Sequence, residues 1–281
     1  YCLICCLIFV LPGLLFPDQV FSFTAKLTGY VLSIFGGFYL WLGLGLVIFC
    51  FALAVSPWGR IRLGAPEDKP RYSFWNWLAM LYSAGMGAGL LQRAVQEPIF
   101  YYQNPPMDTP MPQGEEILSL QYAYFHWGIT AWAFYTAFGL VAAYYQYRRQ
   151  EPALASVVLR PVIKKNRWGN VVNVLAVMTT IFGLVASVGL GSGQIAGGIG
   201  FLQGREYPAI LTALIAILVG IVSFVSAMRG LDKGIKRISQ FNMLGTLVLL
   251  VIFIFHNDVG ELVANFGKGL YYYFKDFIAM S

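Results

Sequence analysis

The stretch ILSLQYAYFHWGITAWAFYTAFGLVAAYYQY, Ile117 to Tyr147, holds no lysine, arginine, aspartate or glutamate and is followed at once by Arg148 and Arg149. A helix that crosses a bilayer needs about 20 predominantly apolar residues, and this run supplies them. At its centre lies HWGITAWAFY, His126 to Tyr135. At about 100° per helical residue, Trp127, Trp132 and Tyr135 share an arc of roughly 140° on one face of one helix. Two indoles and a phenol on a membrane-embedded face can wall a compartment for a soft cation through cation–π attraction. The same rings can instead be packing bulk or an interfacial belt, and spacing by itself favours packing.

The rest of the chain shares this character. Of 281 residues, 58% are apolar and 11% charged, whereas a water-soluble domain is about half apolar and a quarter charged. Lipid is the solvent this composition fits. Seven apolar runs are long enough to count as spans: Tyr1–Phe16, Val31–Val55, Phe74–Tyr102, Ile117–Tyr147, Val171–Leu202, Ala209–Met228 and Ile238–Phe255. Every second linker is basic. Arg60, Arg62, Lys69 and Arg71 follow the second span; Arg148, Arg149, Arg160, Lys164, Lys165 and Arg167 the fourth; Arg229, Lys233, Lys236 and Arg237 the sixth. The alternate linkers offer Lys26 after the first span and Arg205 after the fifth. By the positive-inside rule the basic linkers are cytoplasmic, so the N-terminus is expected inside and the C-terminal segment outside. The net charge of +6 therefore orients helices and does not mark a nucleic-acid surface. From Val259 to Phe277 apolar residues recur at steps of three and four, which predicts an amphipathic helix on the outer surface or against a neighbouring subunit.

Several groups within the spans could carry chemistry. Gly85, Gly87 and Gly89 fall within five positions of the third span. They allow close helix packing, or a local unwinding whose freed backbone groups line a site. Arg93 and Glu97 stand four apart, which reads as an intrahelical pair. The fifth span interleaves glycines with Thr179, Thr180, Ser187 and Ser192, hydroxyls that could ligate sodium or bond to a preceding carbonyl. Cys2, Cys5, Cys6 and Cys50 all lie in apolar runs and read as soft hydrophobes, with no transition-metal site. No metalloprotease, nucleophile-elbow or phosphate-loop motif occurs, so no enzyme is expected. No span carries a ring of polar residues such as a channel would use.

In order and spacing these segments resemble the betaine/choline/carnitine transporter family. The matching stretches are GRIRLGAPEDKP (Gly59–Pro70), WLAMLYSAGMGAGL (Trp77–Leu90), Glu97–Pro106, QYAYFHWGITAWAFY (Gln121–Tyr135), TTIFGLVASVGLGSGQI (Thr179–Ile195) and GLDKGIKRISQFNM (Gly230–Met243). The resemblance implies an all-α polytopic membrane protein with the leucine-transporter-like fold: two peripheral helices (1–57), a first five-helix repeat (74–257) and the extracytoplasmic amphipathic helix (258–281). A second repeat is expected to be missing from this chain, so residues 1–281 alone are expected not to transport. The implied function is secondary active transport by alternating access of glycine betaine, choline, carnitine or a sulfonium analogue. The implied coupling ion is sodium, with no cofactor, in the inner (plasma) membrane, and the resemblance allows a homotrimer.

By position, Trp127, Trp132 and Tyr135 match the family's aromatic box, and Gly85, Met86 and Gly87 match the glycine segment beside the substrate. Ser83 and Met86 match carbonyls of one sodium site, and Thr180 a hydroxyl of another. Leu184 stands where the family's next hydroxyl falls. Gly89 stands where proton-coupled choline carriers tend to have aspartate, which points towards sodium. Gln92 and Arg93 replace apolar or aromatic residues. A reading from another class is a non-transporting half-protein that acts as an osmosensor or scaffold.

Overall fold

The computed structural model describes residues 2–64, 67–85, 88–106, 112–161 and 166–281, with side chains from residue 6 onward except at 88–92 and 166–167. The chain is an all-α polytopic membrane protein, and no strand occurs among the described residues. In order come α1 (Cys2–Leu15), α2 (Pro17–Val55), a 3-10 turn (Pro57–Arg60), α3 (Phe74–Gly85), α4 (Ala88–Gln103), α5 (Glu115–Trp127) and α6 (Ile129–Ala143). A π-helical turn (Tyr144–Arg148), α7 (Ala155–Val158), α8 (Asn166–Gln203) and α9 (Ala209–Met228) follow. A second π-helical turn (Leu231–Ile235) leads into α10 (Lys236–Phe255), α11 (Val259–Lys275) and α12 (Phe277–Met280).

Among the described residues, four helical segments are long and apolar enough to cross a membrane: Pro17–Val55, Trp168–Gln203, Ala209–Met228 and Leu231–Phe255. Large apolar side chains such as Phe51, Ile217 and Phe253 lie exposed along them, the reverse of a water-soluble core. The other expected spans differ in build. The first run forms the short α1. The third holds α3 and α4 on either side of residues outside the described set, and the fourth holds α5 and α6, each shorter than the usual crossing length. The second run begins at Pro17, well before Val31, because Pro17 starts a helix and Asp18 favours its first turn. Its polar first turns lower hydropathy without stopping helix formation.

The chain divides into two compact units. The first comprises Tyr1–Asp68, Tyr124–Phe182 and Phe274–Ser281. Its centre is the seam between α2 and α6, where Gly43 and Val47 of one helix and Ala133 and Ala137 of the other are buried. The fit is close: a Cβ added at Gly43 would lie 2.7 Å from Thr130 Cγ2 and 3.4 Å from Phe134 Cε2. One turn further along α2, Cys50 Sγ lies 3.8 Å from the Ala133 carbonyl oxygen. Without a hydrophobic force between helices in lipid, such small-residue approach is what holds a pair together. α2 stops at Ser56, whose backbone N–H closes on Ala52 and whose hydroxyl donates to Leu53 at 2.7 Å. Pro57 cannot continue the ladder.

The second unit comprises Lys69–Ala123 and Gly183–Tyr273. Here α3 packs on α10 along a polar ladder. Gln240 donates to Asn76 at 2.6 Å, Asn242 to the Ser83 hydroxyl at 3.1 Å, Ser83 to the Ser239 carbonyl at 3.4 Å, and Tyr82 to Thr246 at 3.1 Å. At the foot of the ladder Arg71 forms an ion pair with Asp232. The expected amphipathic helix is α11. Its Gly269 and Tyr273 are buried, and its Tyr272 carbonyl accepts from the buried Gln121 of α5 at 3.2 Å.

Candidate functional site

The decisive run of the sequence is not one helix. Gly128, at φ −91° and ψ −145°, leaves helical geometry, so Trp127 closes α5 while Trp132 and Tyr135 ride on α6. The arc expected of three rings on a single helix is corrected accordingly. Hydropathy reports which solvent a run prefers and is blind to a one-residue break in its hydrogen bonding. Trp132 closes that break twice. Its backbone N–H reaches the Gly128 carbonyl at 3.3 Å, and its indole N–H donates to the Trp127 carbonyl at 3.1 Å.

This geometry keeps the aromatic groups together by another route. Trp127 and Trp132 line one cavity of about 520 Å³, whose opposite wall is Val47, Cys50, Phe51 and Ala54 of α2. Tyr135 adjoins Trp132, ring centroids 5.6 Å apart at an interplanar angle of 42°. Both indoles are 36% exposed and the phenol 68%, so all three present ring surface. Beside them, the Thr130 hydroxyl is buried with no hydrogen-bond partner among the described residues. Sequence reasoning passed over Thr130, because a threonine in an apolar run ordinarily bonds back to its own helix.

In the third span α3 is described as far as Gly85 and α4 from Ala88. Gly85 is half-buried, and Met86 and Gly87 lie outside the described residues. Two residues earlier, Ser83 is half-buried, with its hydroxyl engaged by Asn242 and Ser239. Asn242 lies in a quoted motif but drew no role from the sequence, since only the α3–α10 packing brings it to Ser83. On α8, the Thr180 hydroxyl donates to the Ala176 carbonyl at 2.8 Å, the i−4 bond that threonine makes within helices. Its oxygen keeps lone-pair capacity for a further partner. Leu184, one turn on, is exposed. Trp127, Trp132, Tyr135 and Thr180 fall in the first unit, and Ser83 and Gly85 in the second.

Residues 1–281 match the family profile described as "BCCT, betaine/carnitine/choline family transporter". The chain belongs to the betaine/carnitine/choline transporter family. Three relatives illustrate the match. An ectoine/hydroxyectoine transporter of Virgibacillus pantothenticus is 36% identical over 97% of this chain and 55% of its own length. A glycine betaine transporter of Bacillus subtilis is 35% identical over 97% of this chain and 54% of its own. A probable glycine betaine transporter of Desulfitobacterium hafniense is 32% identical over 98% and 56%. The chain thus spans about half the length of the curated relatives it matches. The family so described, and the three relatives named, are transporters.

Proposed function

We propose that this chain contributes half of a binding site in a secondary transporter of small zwitterionic osmolytes, with glycine betaine or ectoine as the leading substrates. The observation that carries the reading is the grouping of Trp127, Trp132 and Tyr135 at the Gly128 break. A trimethylammonium group and a delocalised amidinium share what aromatic faces select: positive charge spread over a weakly hydrated surface. The relatives named as glycine betaine and ectoine transporters support both choices. Choline, carnitine and sulfonium analogues present the same kind of cation and belong in the same comparison.

The coupling ion in this proposal is sodium. Carbonyls near Ser83 and Met86, and the Thr180 hydroxyl, are its ligands on this chain, since hard cations take oxygen donors. Gly85, Met86 and Gly87 enter this proposal as substrate-binding residues by their position in the family's glycine segment. The basic linkers face the cytoplasm, with the N-terminus on the same side. The membership of a transporter family favours this reading over an osmosensing or scaffolding role.

The experiment is uptake by proteoliposomes holding the complete protein. Labelled glycine betaine is offered with an inward sodium gradient, then with potassium in its place, against competing ectoine, choline, carnitine and a sulfonium zwitterion. Sodium-dependent uptake competed by one or more of these compounds is expected. Uptake indifferent to sodium would remove the coupling ion, and absence of any uptake would remove the substrate class.

A further inference from the structure

The unbonded hydroxyl of Thr130 follows from the break at Gly128. In an unbroken helix a threonine hydroxyl donates to the carbonyl three or four residues back. For Thr130 those carbonyls belong to Trp127 and His126, at the end of α5, whereas Thr130 itself lies in the first turn of α6. Gly128 leaves helical geometry between them. The hydroxyl is buried with no hydrogen-bond partner among the described residues, while Thr179 and Thr180 of α8 both make the ordinary bonds. All of these groups belong to the first unit.

Two contacts define what Thr130 can do. The first holds it still. A Cβ added at Gly43 of α2 would lie 2.7 Å from Thr130 Cγ2, so the methyl branch is set against the α2–α6 seam. A β-branched side chain has few rotamers, and this contact fixes the direction left to the hydroxyl. The second contact occupies an acceptor that Thr130 would otherwise use. The Trp127 carbonyl accepts the indole N–H of Trp132 at 3.1 Å. Two donors thus stand three and five residues from one carbonyl, and the indole holds it. The peptide that carries this carbonyl runs into Gly128, where the missing side chain leaves it freer to turn than at any other residue type.

We propose that Thr130 is a positioning residue of the aromatic cage, whose hydroxyl takes over the Trp127 carbonyl when the Trp132 indole lets go. The proposal rests on the reading of Trp127, Trp132 and Tyr135 as a substrate cage. With the indole on the carbonyl, the Trp132 ring is held to meet a cation. For the substrate to leave, that ring must turn aside. Release of the indole by itself would cost the carbonyl a hydrogen bond at membrane depth, where lost bonds are expensive. Exchange of one donor for another keeps the carbonyl bonded throughout. It also gives the buried hydroxyl the partner it lacks. The indole N–H set free belongs to a ring on the cavity wall, within reach of water. Thr130 therefore favours opening of the cage and touches no substrate.

The test uses the complete protein in proteoliposomes and compares Thr130→Val, which keeps the shape and removes the donor, with Thr130→Ser, which keeps the donor. The valine variant is expected to lower the maximal rate of betaine uptake about five-fold, as loss of one hydrogen bond does. Half-saturation should not rise and thermal stability should not fall, because the orphan hydroxyl is removed from the cage-closed form. Serine should recover most of the rate. The ¹⁵N-indole signal of Trp132, assigned by its loss in Trp132→Phe, reports the exchange directly. A hydrogen-bonded signal is expected with betaine and sodium present, and a second, unbonded signal without them, which Thr130→Val removes. Unchanged uptake in Thr130→Val overturns the proposal and leaves the cage standing. A fall in rate matched by a fall in stability, or one that serine does not rescue, overturns it in favour of packing. If valine does not fold, the unaltered protein decides: a single Trp132 indole signal under all conditions overturns the exchange. Absence of uptake of any osmolyte by the unaltered protein removes the cage reading and this proposal with it.

Discussion

The indole N–H of Trp132 donates to the carbonyl of Trp127 across the Gly128 break, at 3.1 Å. One aromatic ring of the proposed cage thus fixes the end of the helix that carries another. The bond also sets the orientation of the Trp132 ring, which would otherwise be free to turn about its side-chain torsions. Orientation matters here because a cation is attracted by the face of an indole and not by its edge.

Trp132→Ala should weaken substrate binding by about 0.5–2 kcal/mol, the range of cation–π contributions. Trp132→Phe separates the two roles of the ring, since it keeps an aromatic face and removes the N–H donor. The phenylalanine variant is expected to lose less affinity than the alanine one. Half-saturation of betaine uptake in the complete protein measures both. Unchanged affinity in Trp132→Ala would return the ring to packing.

Gly43 and Gly45 offer a matched pair on one helix. A methyl at Gly43 would meet Thr130 at 2.7 Å, while nothing lies within 4 Å of one at Gly45. Gly43→Ala should destabilise the α2–α6 seam by about 1–3 kcal/mol, as overpacking does. Gly45→Ala should be neutral or stabilising by up to about 1 kcal/mol through helix propensity. Thermal unfolding of the two variants in the same detergent, followed by loss of monodisperse protein, reads the difference.

The two proposed sodium contributions predict opposite responses to removal of a hydroxyl. At Ser83 the ion is assigned a backbone carbonyl, and the hydroxyl belongs to the ladder with Asn242 and Ser239. Ser83→Ala should therefore cost about 1 kcal/mol of stability and leave the sodium dependence of uptake nearly unchanged. At Thr180 the hydroxyl is itself the ligand, so Thr180→Ala should raise the sodium concentration for half-maximal uptake. A sodium shift in Ser83→Ala with none in Thr180→Ala would reverse the assignment.

How much of this was legible in the sequence differs from residue to residue. The run Ala209–Met228 became α9 with those bounds, because Pro208 stands at one edge and Arg229 at the other of an uninterrupted apolar stretch. Gly128 was invisible by the same reasoning. Gly139 lies in the same apolar run and stays inside α6, so glycine alone does not announce a break. The Asn242–Ser83 and Gln121–Tyr272 bonds join residues far apart in the chain. Such partners follow from how helices pack, and periodicity along one helix holds no record of the other. The aromatic face was legible as a group of rings but not as two helices sharing a cavity with α2.

The buried Gln121 is the last case, and it bears on how α11 is held. Its side-chain amide donates to the Tyr272 carbonyl at 3.2 Å, and its oxygen accepts from Gln113 at 2.9 Å. With only 2% of the residue exposed, water is not at hand to replace either bond. Gln121→Leu preserves much of the volume and removes both hydrogen bonds, at a cost of about 1–3 kcal/mol. The loss should be local, because the α3–α10 ladder shares no residue with this contact. Faster backbone hydrogen exchange confined to Leu270–Lys275 is expected, with α10 unchanged. Equal loss of protection along α10 would mean that Gln121 supports the whole second unit and not α11 alone.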